Sequence, residues 1–138
     1  MSLTNLTLAE AAEGITNGGF SASELTEATL SRIEEINPLL NAYIHVEAEI
    51  ARREAAVVDA KRVKGEILGP LAGVPLAHKD MYYRKDSLAT CGSKIRADFC
   101  PDITATVLSR LSASDATYLG GLNMAEFAFG PTGHNDHF

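Results

Sequence analysis

The sequence predicts an α/β protein in which N-terminal helices precede the first strands of a mixed sheet covered by helices. Two observations support this fold class. Residues 1–65 have the pattern of capped helices, whereas residues 66–138 alternate strand-like and helical segments. Alternation of this kind is typical of an α/β sheet. Because two or three short strands do not make a sheet that is stable alone, residues 1–138 are expected to be the incomplete N-terminal portion of a single domain.

Three helices are predicted in residues 1–65. The first two begin at a Ser or Thr that is followed three residues later by Glu, which is the spacing of a capping box, and each ends at a breaker. The third is expected from about Glu47 to Lys64 and is closed by Gly65. The capping pairs are Thr7 with Glu10 and Ser21 with Glu24, and the breakers are Gly18-Gly19 and Asn37-Pro38.

Residues 66–138 are predicted to form the start of the α/β core. Gly and Pro are dense between residues 69 and 75, and the apolar run after them predicts a short buried strand that ends near Lys79. A helix capped by Asp102, a second strand over 116–119 that stops at Gly120-Gly121, and a short helix opened by Asn123 should follow. The remaining residues have the composition of a turn.

Composition and charge exclude several classes of protein. The chain is 46% hydrophobic and 22% charged, as in ordinary globular proteins. Its net charge is -6 and neither half is basic, so no nucleic-acid surface is expected. The two cysteines lack metal-ligand spacing, and no signal peptide or membrane-spanning run is present. A cytoplasmic protein without membrane association is the prediction.

Lys79 directly follows the first predicted strand, and two interpretations are open. It could be a surface residue that forms an ion pair with Asp80. Alternatively, it could lie at the carboxyl end of a strand, where ligands bind in open α/β sheets. Desolvation there lowers the pKa of a lysine, so that its amine can act as a base.

Two segments resemble the amidase signature family: GPLAGVPLAHKD at 69–80 and NMAEFAFGPTGHNDHF at 123–138. The resemblance implies that Lys79 is the catalytic lysine of a Ser–cis-Ser–Lys relay, which forms an acyl-enzyme from an amide. The two serines of the family belong to a Gly/Ser-rich segment downstream of these motifs. No such segment occurs in residues 1–138, so this chain alone is expected to be inactive.

The resemblance also implies a substrate-binding loop, and here an alternative stays open. Phe129, Gly130, Pro131, Thr132 and Gly133 would line the acyl-binding pocket, or they form a glycine-rich turn that satisfies its own backbone. His134 and His137 are close in sequence, but the spacing and the absence of further ligands argue against a metal site. Neither a metal nor another cofactor is implied.

The motifs indicate the branch within the amidase signature family less specifically than the family itself. Many family members have a Gly-Lys-Thr-Asn run where this chain has residues 120–123, Gly-Gly-Leu-Asn. Pro131-Thr132-Gly133 resembles the stand-alone amidases, which act on small amide substrates, more than the A subunits of tRNA-dependent amidotransferases. Three hypotheses therefore remain: an amidase, an amidotransferase A subunit with partner chains, and a non-catalytic interaction module ending at Phe138 that could form homo-oligomers through exposed strand edges.

Overall fold

A computed structural model describes residues 2–138 and confirms the α/β fold class. Four α-helices and three strands make up this part of the chain, together with three 3-10 turns. The elements are α1 (Leu8–Thr16), α2 (Ala22–Leu40), β1 (Tyr43–Val46), α3 (Ala48–Val63), β2 (Pro75–Lys79), α4 (Thr106–Ala113) and β3 (Thr117–Leu122), with 3-10 turns at Leu3–Asn5, Lys94–Arg96 and Glu126–Ala128. No helix in residues 2–138 is both long and apolar enough to cross a membrane.

The three strands form one mixed sheet in the order β1-β3-β2. β3 lies in the centre, antiparallel to β1 and parallel to β2. The chain therefore reaches β3 from β2 through a crossover that contains α4, as parallel pairing requires. This arrangement places the carboxyl ends of β2 and β3 at the same edge of the sheet.

Both predicted capping boxes are present. The hydroxyl of Thr7 accepts a hydrogen bond from the Glu10 N–H, and the Glu10 carboxylate accepts one from the Thr7 N–H at 2.7 Å. Ser21 and Glu24 repeat the arrangement at the start of α2. These pairs satisfy backbone donors that a helix N-terminus leaves free, which is why they predicted both helix starts correctly.

The predicted end of α2 was wrong by one turn. The helix continues through Pro38 to Leu40 and ends at Asn41, whose φ of 51° is left-handed. A proline within the last turn removes only one helical hydrogen bond close to the end, so the helix tolerates it. The side chain of Asn37 also holds the next element, since its Oδ1 accepts the Tyr43 N–H at 2.8 Å.

Strand β1 lies between the second and third predicted helices, in a region for which only helices were predicted. Its four residues, Tyr43–Val46, are too few to show a strand period. What makes them a strand is the pairing with β3, which is distant in sequence. The boundaries of α3 agree with the prediction to within one residue.

Gly120 and Gly121 do not end β3, contrary to the prediction, because the strand continues to Leu122. Gly120 has a φ of 147°, and a β-carbon there would lie 2.2 Å from the His45 carbonyl oxygen of β1. Glycine at this position permits a close approach of two strands at an irregularity in their register. The glycines are therefore part of the strand rather than a turn after it.

Two predicted helix starts also differ. α4 begins after Ala105 rather than at a cap formed by Asp102, and Ala105 provides no side-chain bond. The short helix predicted at Asn123 is a single 3-10 turn that starts at Glu126. The Asn123 side chain instead bonds to the next residue, since its Oδ1 accepts a hydrogen bond from the Met124 N–H at 2.8 Å.

The main hydrophobic core lies between the helices and the chain that leads into β2. Ile15 of α1, Leu25 of α2 and Val58 of α3 pack there with Val74, which precedes β2. A smaller cluster of Leu30, Ala51 and Leu119 joins α2 and α3 to the sheet. The helices thus fix one face of the sheet and hold β2 in place.

Candidate active site

The carboxyl ends of β2 and β3 form the edge of the sheet at which Lys79 lies. Lys79 is the last residue of β2 and pairs with Leu122, the last residue of β3. Ligands bind at this edge in open α/β sheets. From β3 the chain passes directly into residues 123–138, which contain the predicted substrate-binding loop.

The side chain of Lys79 is exposed in residues 2–138. The ion pair with Asp80, which one of the two interpretations required, is not formed in residues 2–138, because Asp80 is buried and bonds to His45 instead. The Lys79 carbonyl accepts backbone hydrogen bonds from Met81 at 2.7 Å and Tyr82 at 3.2 Å, so a tight turn fixes the end of the strand. A lysine on a fixed backbone therefore extends from the carboxyl edge of the sheet.

Asp80 connects the end of β2 to a loop that sequence reasoning did not assign to the site. Its Oδ2 accepts hydrogen bonds from the N–H of Thr90, at 2.9 Å, and from the Thr90 hydroxyl. Its backbone carbonyl accepts the Cys91 N–H at 2.8 Å. Cys91 has a left-handed φ of 55°, and the Asp80 contacts hold it in this conformation.

The loop at residues 90–93 is also tied to the segment after β3. The Asn135 side-chain amide donates to the carbonyl oxygens of Gly92, at 2.8 Å, and Met124, at 2.6 Å. A β-carbon at Gly92 would lie 2.6 Å from the Asn135 amide nitrogen, so glycine is needed for this contact. Ser93 is fully buried and donates to a Glu126 carboxylate oxygen at 2.6 Å.

Glu126 is bound from two sides. The hydrogen bond from Ser93 has the largest effect on the Glu126 carboxyl and lowers its pKa, and the nearby His137 lowers it further. The His137 Nε2 lies 3.2 Å from the oxygen that accepts the Ser93 hydrogen bond.

Phe127 and Ala128, which follow Glu126, have left-handed φ angles of 50° and 59°, which are costly for residues with a β-carbon. A hydrogen bond from the Phe127 N–H to the Cys91 carbonyl, at 2.8 Å, stabilises this strained pair.

The predicted substrate-binding residues, Phe129–Gly133, form an exposed loop that follows the last 3-10 turn. Phe129 is 94% exposed. No hydrogen bond in residues 2–138 joins the loop to Lys79. This part of the chain therefore does not bring the loop and the lysine into hydrogen-bond contact.

The histidines have separate roles. His134 Nδ1 lies 2.9 Å from the Thr132 hydroxyl, so it does not share a partner with His137. Within residues 2–138 no group of three His, Cys, Asp or Glu side chains is placed to hold a metal ion. His78 packs against an aromatic ring: it stacks on Tyr118 with 4.7 Å between ring centroids, and burial lowers its pKa.

Comparisons with known proteins agree with this architecture. Residues 24–138 match the sequence model of the Amidase family. The chain is 44% identical over 138 residues to the A subunit of the glutamyl-tRNA(Gln) amidotransferase of Natranaerobius thermophilus, covering all of this chain and 28% of that protein. It spans just over a quarter of the length of such relatives.

Solved structures show the same fold. A chain from an inhibitor-bound complex, described as a vestigial complex that reveals the origins of an s-triazine catabolic enzyme, superposes with a TM-score of 0.93 at 39% identity. The match covers 96% of this chain and 29% of that one. The native peptide amidase of Stenotrophomonas maltophilia gives a TM-score of 0.85 at 32% identity, over 94% of this chain and 27% of that one. This chain belongs to the amidase signature family.

Proposed function

We propose that the protein containing this chain hydrolyses an amide bond, with Lys79 as the base of a Ser–cis-Ser–Lys relay. The observation that carries the proposal is the position of Lys79, on a fixed backbone at the carboxyl edge of the sheet, in a chain of the amidase family. The turn after β2 and the Asp80 contacts fix the direction in which the lysine leaves the strand. Such pre-organisation is what a catalytic base requires.

The proposed reaction proceeds through an acyl-enzyme. Neutral Lys79 accepts a proton from the bridging serine, which accepts one from the nucleophilic serine as that oxygen attacks the amide carbonyl. The proton then passes to the departing nitrogen when the C–N bond breaks, and water hydrolyses the ester that remains. Both serines would come from outside residues 1–138, in the same domain, so the proposal includes that this chain alone is inactive.

The loop Phe129–Gly133 is proposed to line the acyl-binding pocket. It is exposed and follows the strained pair Phe127-Ala128, whose backbone is fixed by the loop at residues 90–93. Gly130 has space for close approach, since a β-carbon there would meet only the Ala125 β-carbon, at 3.3 Å. A small amide whose acyl group lies over this backbone is the substrate class that such a loop suits.

A second candidate function is that of a tRNA-dependent amidotransferase A subunit, which would require partner chains and a cytoplasmic location. The observation that favours it is the set of relatives at 41–46% identity, which are glutamyl-tRNA(Gln) amidotransferase A subunits. Against it, Pro131-Thr132-Gly133 resembles the stand-alone branch. Ammonia-dependent amidation of glutamyl-tRNA by the full-length protein, with and without candidate partners, distinguishes the two functions.

Substitution of Lys79 tests the proposal. In the full-length protein, Lys79→Ala should lower kcat for amide hydrolysis by about 100- to 10,000-fold, the range in which general bases contribute. Lys85→Ala is the matched control, because Lys85 is an exposed lysine six positions away whose side chain forms no ion pair in residues 2–138. The circular dichroism spectra of both variants should match that of the wild type.

Activity is measured with a panel of small aliphatic and aromatic amides, by the release of ammonia or amine. An unchanged rate in the Lys79→Ala variant would contradict the assignment of this lysine. Equal losses in the two lysine variants would show that general surface charge, and not a base, accounts for the effect.

A further inference from the structure

Asp80 is a fully buried carboxylate next to the proposed catalytic lysine. Burial of a charged group is costly unless hydrogen bonds or a counter-charge compensate. Thr90 provides two of the bonds, both to Oδ2. The other oxygen, Oδ1, lies 2.9 Å from Nε2 of His45, which is the one basic group in residues 2–138 within ion-pair distance of Asp80.

The contact between His45 and Asp80 crosses the central strand. His45 is in β1 and Asp80 follows β2, so β3 lies between them, with Gly121 paired to His45. A β-carbon at Gly121 would lie 2.4 Å from Nε2 of His45 and 2.6 Å from Oδ1 of Asp80. The missing side chain at position 121 is therefore what lets the imidazole and the carboxylate meet.

The imidazole of His45 is held mainly by its contact with Asp80 and by burial. Its Nδ1 lies 3.4 Å from a Glu47 carboxylate oxygen but forms no hydrogen bond within residues 2–138, and the ring is largely buried. A rotamer change would therefore break the Nε2 contact with Asp80 and move the ring out of its buried position. The ring thus links β1 to the end of β2.

Asp80 transmits this constraint to the site through its backbone. Its N–H donates to the Leu122 carbonyl at 3.1 Å, and its carbonyl accepts the Cys91 N–H at 2.8 Å. Lys79 and Asp80 share a peptide unit, so a movement of Asp80 that turns this peptide plane also changes the backbone from which the Lys79 side chain extends. The same movement would break the Asp80 bonds to Thr90 and Cys91 and release the loop at residues 90–93.

We propose that His45 is a positioning residue for Lys79, acting through the Asp80 carboxylate across Gly121. The inference rests on the proposed function, because it assigns a role in the reaction for which Lys79 is the proposed base. His45 touches no reacting atom. Its contribution is to hold Asp80, and with it the direction of the lysine and the loop at residues 90–93.

Three variants of the full-length protein test this role. His45→Leu removes the hydrogen bond to Asp80, and we expect kcat to fall about 10- to 100-fold with KM within about twofold, as for a small misplacement of a catalytic group. His45→Gln places an amide N–H near the position of Nε2 and should keep kcat within about threefold of wild type. His45→Asn has the same amide on a shorter side chain that does not reach Asp80, and it should resemble the leucine variant.

Val46→Ala is the matched control, because Val46 is the next residue of β1, is exposed and has no polar side-chain atom that could bond to Asp80. A merely structural role of His45 would lower the melting temperature while leaving kcat of the folded enzyme unchanged. If the leucine variant fails to fold, the comparison of His45→Gln with His45→Asn decides. Equal kcat values for these two would overturn the inference, and so would a kcat loss in Val46→Ala as large as that in His45→Asn.

Failure of this inference is distinguishable from failure of the proposed function. If only the inference fails, Lys79→Ala still lowers kcat by about 100-fold or more, while His45→Asn and His45→Gln have equal kcat values. If the proposed function fails, Lys79→Ala retains the wild-type rate whatever residue stands at position 45.

Discussion

Replacing Gly73 with alanine should destabilise the protein more than the same change at Gly65. Both glycines have left-handed φ angles, 66° and 70°, so alanine costs about 1–2 kcal/mol at either position through backbone strain. The surroundings differ. A β-carbon at Gly73 would lie 2.4 Å from the Ala22 β-carbon and 3.0 Å from Cδ1 of Ile15. At Gly65, no atom of residues 2–138 lies within 4 Å of such a β-carbon, apart from the adjacent residues.

The crowding at Gly73 has no easy relief. Ala22 and Ile15 are fully buried, so neither can turn toward solvent. The start of α2 would have to shift by about 1 Å to restore an ordinary carbon–carbon contact of about 3.5 Å. Overpacking of this kind adds about 1–3 kcal/mol. Gly73→Ala should therefore lower the free energy of unfolding by about 2–5 kcal/mol, against about 1–2 kcal/mol for Gly65→Ala.

Urea unfolding of the full-length variants, followed by circular dichroism at 222 nm, measures the difference. The midpoint should fall further for Gly73→Ala, with an unchanged slope, because the folded and unfolded states otherwise expose the same surface. Equal midpoints for the two variants would refute the packing of α2 against the chain that leads into β2.

Two further predictions concern the loops around the sheet. Burial of Asp115 opposes ionisation, but the Lys61 ion pair and the Gly69 N–H outweigh it, so the pKa of Asp115 lies below its ordinary value of 3.8. Asp115→Asn removes the charge, and asparagine tolerates the left-handed φ of 64° at this position. Relative to the wild type, the variant should lose the most unfolding free energy above about pH 5, and this loss should shrink as the pH falls through the lowered pKa. A loss that does not depend on pH would contradict the ion pair with Lys61. Glu126→Ala should raise KM for amides several-fold, because it releases the loop that follows Glu126. Glu126→Gln can still accept the Ser93 hydrogen bond and should leave KM unchanged. Equal KM values for the two variants would argue against the hydrogen bond between Ser93 and Glu126 as the anchor of the loop.

Residues 1–65 were predictable where a signal was local. A capping box lies within four residues and satisfies donors of the same helix, so Thr7 and Ser21 marked α1 and α2 without knowledge of the rest of the chain. β1 had no such signal, because its pairing partner is more than 70 residues away in sequence. Four residues between two helices do not show a strand period.

The candidate site was predictable only in part. Lys79 was placed correctly at the end of a strand because the apolar run before it and the family motif agree. The roles of His45 and Asp80 were not predictable, because their contact depends on the strand order and on a missing side chain at Gly121. The glycine pair at 120–121 has the pattern of a turn, since close approach of another strand favours glycine just as a turn does.

The position of the Lys79 amine in the full-length protein tests the central claim most directly. A crystal structure at neutral pH should show Nζ within about 2.6–3.2 Å of a serine hydroxyl from the remainder of the chain, as a general base requires. The Asp80 carboxylate should keep its contacts with His45 and Thr90 in that structure. A Lys79 side chain that extends into bulk solvent, with no serine hydroxyl in reach, would contradict the account.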